Sequence, residues 1–293
     1  MSGKRHPVAS ADELSHLFDS VVGTVSLRAA DAGAQRNFYE EGVGLVTSSE
    51  DGAVTELRGA GEHPLIRLTT ELSAGAEPVR VPHTGLFHTA FRYPDRPSLA
   101  AAVARTAQVA REFQGASDHG VSEAVYFADP EGNGIELYRD RQFEEWPDGE
   151  PGQVGMFTAP LDLPALLEEA AKDADAPDIG HIHLMTADSA RALGFWRDTV
   201  GLAERQRFGP SAVFLAEGLY HHHIGANSWH SAGASPAPAD RPGLESFELR
   251  LRSGDAVEAA ATGLEQAGVQ IERLGGAISF RDPDSNRVVL TVR

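Results

Sequence analysis

The sequence predicts an α+β fold built from four βαβββ modules, and three observations support this prediction. The second half of the chain repeats the pattern of the first half. Each repeat begins as a short alternating strand, continues as an Ala-rich amphipathic helix and returns to a strand at a Gly-Leu pair. Asp-Pro turns close two of the modules. Self-similarity of this kind is typical of a fold assembled from equivalent units.

The clearest repeat aligns residues 23–31 (GTVSLRAAD) with residues 180–188 (GHIHLMTAD) without a gap. The register then continues through two more pairs of segments: Phe38-Tyr39 with Phe195-Trp196, and Gly44-Leu45 with Gly201-Leu202.

A weaker repeat relates residues 85–91, which begin a strand before a helical run at 99–113, to residues 243–249, which precede a similar run at 256–267. Turn formers close both copies, at 129–134 and at 282–286.

The repeats divide the chain into units near 20–80, 84–140, 178–230 and 243–293, which we call modules one to four. We expect an N-terminal tail at 1–18, a first two-module domain at 19–140, a linker at 141–177 and a second two-module domain at 178–293. The linker is rich in proline and acidic residues and contains one predicted helix, at 163–171. Residues 231–241 are an Ala/Pro-rich loop.

Composition narrows the function. The 293 residues carry a formal net charge of −18, which argues against binding nucleic acid or an anionic membrane surface. No apolar run is long enough to cross a bilayer, and the N-terminus lacks the apolar stretch of a secretory signal, so a cytoplasmic protein is expected. The chain has no cysteine, so any metal must be held by nitrogen and oxygen ligands.

The twelve histidines are the unusual feature, and the repeat selects among them. A lone strand histidine or glutamate is usually structural, but His88 and His181 each open the first strand of a module, and Glu136 lies on the last strand of module two. The equivalent positions of the other modules hold residues that are not ligands: Thr24, Ser246 and Val289.

The ligand distribution predicts that modules two and three pack together. In that arrangement the three side chains form a 2-His-1-carboxylate set, which leaves open positions on a non-haem Fe(II). If modules one and two were paired instead, the ligands would be separated and no site would be complete.

Two longer runs carry a family resemblance. The run 119–138 is similar to the C-terminal signature of extradiol ring-cleaving enzymes, in which a histidine and a tyrosine precede the ligand glutamate. Tyr126 and Glu136 have the ten-residue spacing of that signature. The run 220–229, preceded by 180–184, resembles the catechol 2,3-dioxygenase branch. The chain is therefore identified as a member of the vicinal oxygen chelate superfamily, which includes glyoxalase I and the type I extradiol dioxygenases.

The resemblance implies two half-barrels of the vicinal oxygen chelate type, a catechol-type diol and O2 as substrates, and Fe(II) as the metal, with Mn(II) also accepted. It implies that the His-rich run of module three supplies the acid/base. With the run read as a strand, His223 is the first choice and His222 the alternative. Tyr126 and His119 are expected to hydrogen-bond the substrate oxygens. His183 points to the same strand face as His181 and stays open as an alternative ligand.

Two other classes remain open from the sequence. A glyoxalase-like isomerase or a lyase would use Zn(II) or Ni(II) and usually a fourth protein ligand, whereas a non-catalytic protein would only bind an aromatic ligand. Edge strands of such folds often pair between subunits, so a homodimer is compatible with the resemblance.

Overall fold

The protein is described here from a computed structural model that covers residues 10–72, 76–172 and 174–293. The first nine residues of the expected tail and residue 173 of the expected linker lie outside the described residues. The described strands, in chain order, are β1 Val22–Arg28, β2 Val46–Asp51, β3 Val54–Arg58, β4 Pro64–Thr69, β5 Gly85–Arg92, β6 Glu112–Asp118, β7 Ser122–Ala128, β8 Gly134–Asp140, β9 Ala159–Pro160, β10 Asp178–Met185, β11 Ala203–Phe208, β12 Ala212–Ala216, β13 Ile224–Asn227, β14 Gly243–Leu251, β15 Glu272–Leu274, β16 Ala277–Arg281 and β17 Arg287–Val292.

The helices are short and lie between the strands. The described α-helices are α1 Ala11–Ser15, α2 Ala32–Asn37, α3 Arg96–Val109, α4 Leu163–Leu167, α5 Ser189–Gly194 and α6 Gly254–Gln266. The two helices of the strongest repeat, α2 and α5, each continue into a π-helical turn, at Phe38–Val43 and at Phe195–Thr199. In the described part of the chain no helix is long and apolar enough to cross a membrane.

The strands form two curled sheets, and each sheet takes strands from both halves of the chain. The first sheet has the order β15-β16-β17-β14-β1-β4-β3-β2 and joins modules one and four. The second has the order β11-β12-β13-β10-β5-β8-β7-β6-β9 and joins modules two and three. The predicted α+β class is confirmed, and the pairing of modules two and three is the one that the ligand distribution predicts.

One hydrophobic core joins the two sheets. It contains central strand residues of both, such as Val25 and Phe247 of the first sheet and Phe91 and Ile182 of the second. Because side chains alternate along a strand, the residues next to these core positions point to the opposite face of their sheet. That opposite face of the second sheet carries the candidate site.

Three sequence-based predictions about local structure are wrong. The helix predicted at 99–113 ends at Val109, because Ala110 has an extended backbone and Phe113 already belongs to β6. The linker helix predicted at 163–171 covers only Leu163–Leu167. The run 221–223, interpreted as a strand, lies in the bend before β13, so its faces do not follow strand alternation.

Candidate metal centre

Three adjacent strands of the second sheet bring His88, Glu136 and His181 together. His88 lies on β5, Glu136 on β8 and His181 on β10, and β5 is the central strand of the three. Ala90 of β5 is the register partner of both Glu136 and His181, and His88 is two residues earlier on the same face. Sheet register alone therefore places the three side chains side by side.

The cluster is compact and buried. Nε2 of His88 is 2.9 Å from Oε2 of Glu136, and Nε2 of His181 is 3.2 Å from the same oxygen. The candidate ligand atoms all lie within 4.8 Å of one another, and each of the three residues is at most 5% exposed.

The electrostatics of the cluster favour an ionised carboxylate and neutral imidazoles. Burial raises the pKa of Glu136, but the charges of His181 and His88, both in close contact with its carboxylate, outweigh burial and hold this pKa well below its usual range. Burial lowers the pKa of His181 to about 4, against the opposing effect of Glu136. These are the protonation states in which carboxylate and imidazole groups bind metals.

The hydrogen bonding of His88 shows that the donor set fits a cation. Among the described residues, buried Nε2 of His88 has no hydrogen-bond partner, although Oε2 of Glu136 is only 2.9 Å away. The two atoms are close but not aligned as donor and acceptor, as expected when both point to a third atom. Two imidazole nitrogens and one carboxylate oxygen form the facial set that suits non-haem Fe(II), and no thiolate is needed.

His119 and Tyr126 form a second pair at the same site. Nε2 of His119 is 2.8 Å from the Tyr126 hydroxyl group, and the Tyr126 ring lies 5.7 Å from that of His88. Tyr126 is also the register partner of Glu136 on β7 and β8. Burial, followed by the charge and hydrogen bond of Glu136, raises the pKa of Tyr126 well above its usual range, so its hydroxyl group stays protonated.

The structure separates the two acid/base candidates. The ring of His222 lies 4.0 Å from that of His181, between centroids, and 4.9 Å from that of Phe214. The ring of His223 instead stacks on Tyr220 at 4.8 Å, and its Nδ1 accepts the backbone N–H of Glu217. Of the two, only His222 contacts a ring of the cluster within the described residues, so the geometry favours the alternative over the first choice.

His183 lies beside the cluster as a neighbour. It is the register partner of His88, with the two rings 4.9 Å apart, and its Nε2 accepts a hydrogen bond from the Asn227 side chain. Burial, assisted by the neighbouring histidines, lowers the pKa of His183 well below its usual range. Because its Nε2 already has a hydrogen-bond partner, His183 is not counted among the three candidate ligands.

Aromatic residues outside the predicted ligand and catalytic set form one wall of the site. Phe87 contacts both His88 and His183, with centroid distances of 5.2 Å. Trp229, which is 45% exposed, contacts Phe87 and His183 from outside. An exposed tryptophan next to a buried histidine cluster is a surface on which a planar ligand can stack.

Two cavities lie elsewhere in the described structure. The larger, about 920 Å³, is lined by segments such as 76–80 and 281–287 and contains none of the three candidate ligands. The smaller, about 480 Å³, is lined by residues that include Asp140 and Arg92 and likewise contains none of the three candidate ligands.

Paired βαβββ modules with a buried His-Glu-His cluster on one sheet define a protein of the vicinal oxygen chelate class. The chain belongs to the Glyoxalase/Bleomycin resistance protein/Dioxygenase superfamily, whose sequence profile matches residues 19–137 and 178–290. The resemblance found in the sequence is thereby confirmed.

Individual relatives agree with this family, and solved structures agree with its fold. The chain is 34% identical to a catechol-2,3-dioxygenase of Bacillus subtilis (strain 168) over 94% of this chain and 98% of that protein. It is 29% identical to a manganese-dependent 2,3-dihydroxybiphenyl 1,2-dioxygenase of Geobacillus genomosp. 3, over 38% of this chain and 35% of that protein. Glyoxalase I of Zea mays has a similar fold, with a TM-score of 0.58 at 16% identity over 92% of each chain. A candidate dioxygenase from Bacillus subtilis has a TM-score of 0.64 at 14% identity, over 92% of this chain and 84% of that chain.

Proposed function

We propose that this protein is an extradiol dioxygenase that cleaves catechol-type rings with O2 at a metal held by His88, Glu136 and His181. The observation that carries the proposal is the buried cluster itself, with its unpaired His88 Nε2 and a single carboxylate. The likeness to a catechol-2,3-dioxygenase over nearly the whole chain supports the same reaction class. The family relationship alone would also allow an isomerase, so the two activities have to be distinguished by the set of candidate metal ligands.

The composition of the donor set favours dioxygenase chemistry. When bound, an Fe(II) ion in this set supplies a Lewis-acidic, redox-active centre with open positions for a chelating diol and for O2. Within the described residues the cluster contains no second carboxylate, the group that commonly completes the ligand set of an isomerase of this superfamily. Mn(II) is the alternative ion, because a partial relative is manganese-dependent and the same ligands suit it.

The surrounding side chains have distinct roles in this proposal. His222 accepts the proton that the second diol oxygen loses and later returns it, since its ring is the uncharged imidazole closest to His181. Burial and the neighbouring histidines lower the pKa of His222 well below its usual range, which keeps it a neutral acceptor. Nδ1 of His119 donates to the Phe157 carbonyl, so the Tyr126 hydroxyl group donates to Nε2 of His119 and offers its oxygen as an acceptor for a substrate hydroxyl group. Phe87 and Trp229 orient the ring and limit access of water.

The test is O2 uptake on mixing catechol with protein loaded anaerobically with Fe(II), while the absorbance of the yellow ring-opened product is followed. We expect one O2 consumed per product formed, and loss of both signals in His181→Ala. The matched control is His63→Ala, because His63 is an exposed loop histidine outside the cluster. Tight metal binding without O2 uptake for catechol or for alkyl- and chlorocatechols would refute the dioxygenase assignment and favour an isomerase or a binding protein.

A further inference from the structure

We propose that Asp140 and His221 are positioning residues that hold His222 as the Nδ1–H tautomer, so that Nε2 of His222 is the free base of the site. The inference rests on the proposed function only where it calls His222 a base. The chain of hydrogen bonds and the tautomer that it selects are properties of the folded protein.

The three side chains form a continuous hydrogen-bonded line. Oδ1 of Asp140 is 2.8 Å from Nε2 of His221, and Nδ1 of His221 is 2.8 Å from Nδ1 of His222. His222 in turn contacts His181. The line therefore runs from Asp140, at the end of β8, to the ring beside the candidate metal ligands.

The direction of each hydrogen bond follows from the acceptor at its outer end. The other carboxylate oxygen, Oδ2 of Asp140, receives the Tyr220 hydroxyl group at 2.8 Å and lies 3.5 Å from Nη1 of Arg92. A carboxylate stabilised in this way only accepts, so Nε2 of His221 carries the proton that it donates. With the one proton of its ring at Nε2, His221 offers a lone pair at Nδ1.

The same logic assigns His222. Its Nδ1 must carry the proton that His221 accepts, and its Nε2 is left with a lone pair. In the part of the chain that the structure describes, Nε2 of His222 has no hydrogen-bond partner, although the ring is only 7% exposed. An imidazole whose Nδ1–H is fixed by a hydrogen bond and whose Nε2 is free is prepared to accept a proton at Nε2.

Packing keeps the line from rearranging. His221 is fully buried, with the rings of Tyr220 and Trp146 4.0 and 5.5 Å away. The Tyr138 hydroxyl group lies 2.7 Å from that of Tyr220 and completes the network around Asp140. In a buried setting each of these hydrogen bonds is strengthened, and a reversed donor would leave an unpaired polar atom.

The substitution Asp140→Asn exchanges donor and acceptor in each hydrogen bond of the line without changing the size of the side chain. The amide oxygen stays with Tyr220 and Arg92, which are both donors, so the amide NH2 group faces His221. Nε2 of His221 becomes the acceptor, its proton moves to Nδ1, and the proton of His222 moves to Nε2. A carboxylate-to-amide change in serine proteases acts in this way and lowers kcat roughly 10⁴-fold through the wrong tautomer.

The experiment reads the tautomer directly. Protein with ¹⁵N-labelled histidine is loaded with Zn(II), which is diamagnetic, and long-range ¹H–¹⁵N spectra identify which nitrogen of each ring is protonated. His222 is assigned by the signal lost in His222→Gln. We expect Nδ1–H in the unmodified protein and Nε2–H in Asp140→Asn, with kcat of the Fe(II) enzyme at least roughly 10²-fold lower and KM and Zn(II) affinity unchanged.

The matched control is Asp178→Asn, because Asp178 also binds Arg92 but does not contact His221. We expect it to keep the Nδ1–H tautomer and the activity. An Nε2–H tautomer of His222 in the unmodified protein overturns the inference without any variant. An Nδ1–H tautomer that persists in Asp140→Asn overturns it as well. If the Fe(II) enzyme lacks dioxygenase activity, the proposed function fails, while the spectra still decide the inference.

Discussion

Replacing Gly134 by alanine should damage the metal centre through the spacing of two strands. Gly134 of β8 is the register partner of His88 on β5. A Cβ atom at this position would lie 2.0 Å from the backbone oxygen of Phe87 and 3.0 Å from Cβ of His88. The first contact involves the backbone, so no side-chain rotation can relieve it.

The size of the displacement follows from these distances. Real Cβ contacts are essentially never shorter than 3.0 Å, so β5 and β8 must separate by about 1 Å at this point. Metal–ligand distances tolerate only about 0.2 Å, so His88 and Glu136 could no longer bind one ion in the same geometry. A misplacement of this size can lower the rate about 10²-fold, and overpacking typically costs about 1–3 kcal/mol of stability.

The fold itself tolerates a side chain at this register position. The equivalent pair in the first sheet is Ser246 with Arg287, so the arginine occupies the place of Gly134. We therefore expect Gly134→Ala to fold, to bind Fe(II) at least tenfold more weakly by metal titration, and to lose about 10²-fold in kcat/KM. Gly254→Ala, which adds a methyl group in open space at the start of α6, is the control. Unchanged metal affinity and turnover in folded Gly134→Ala would refute the argument from strand spacing.

Three further predictions follow from the cluster. In steady-state assays, His222→Gln should lower kcat about 10²- to 10⁴-fold, whereas His223→Gln should keep most of it; the opposite result would restore His223 as the base. Glu136→Gln should abolish the metal-induced rise in melting temperature, which for the unmodified protein reports about 2.7 kcal/mol at a metal concentration of 100 Kd. The metal-free protein should lose stability in acid, because the pKa of His181 is about 4 in the folded state against about 6.5 for an imidazole in the unfolded chain. The unfolded state then binds more protons between these values, so the free energy of unfolding falls by up to about 3 kcal/mol as pH falls through this window; a flat profile in urea titrations would contradict it.

The sequence predicts the fold and the cluster because the repeat carries both. The alignment of 23–31 with 180–188 equates Thr24 with His181, and the sheet register agrees, since Ser26 pairs with Ser246 as His183 pairs with His88. An uneven distribution of ligands over equivalent modules can be read without any coordinates. The pairing of modules two and three follows from that distribution alone.

The details that the sequence could not provide depend on local backbone shape. On a strand, His222 and His223 would point to opposite faces, with His223 the first choice. The run 221–223 instead bends before β13, and the bend turns His222 toward His181. The hydrogen bond from His221 to Asp140 joins residues far apart in the chain, and Asp140 lies outside both of the runs that carry the family resemblance. The wall formed by Phe87 and Trp229 likewise depends on how the loop after β13 packs against β5, for which residue spacing gives no signal.

The contrast between the two sheets shows what makes a metal centre in this fold. In the second sheet the position between Glu136 and His181 holds Ala90, whose small side chain leaves their donor atoms free to face a common point. In the first sheet the same position holds Glu248, the register partner of Val289. Glu248 accepts hydrogen bonds from the Thr24 backbone and from the side chains of Arg250 and Thr291, so its oxygens already have partners. Polar residues are present in both sheets, but among the described strand residues only those of the second include buried side-chain donors without a partner. Restoring single ligands in the first sheet would therefore not create a site while Glu248 fills the space.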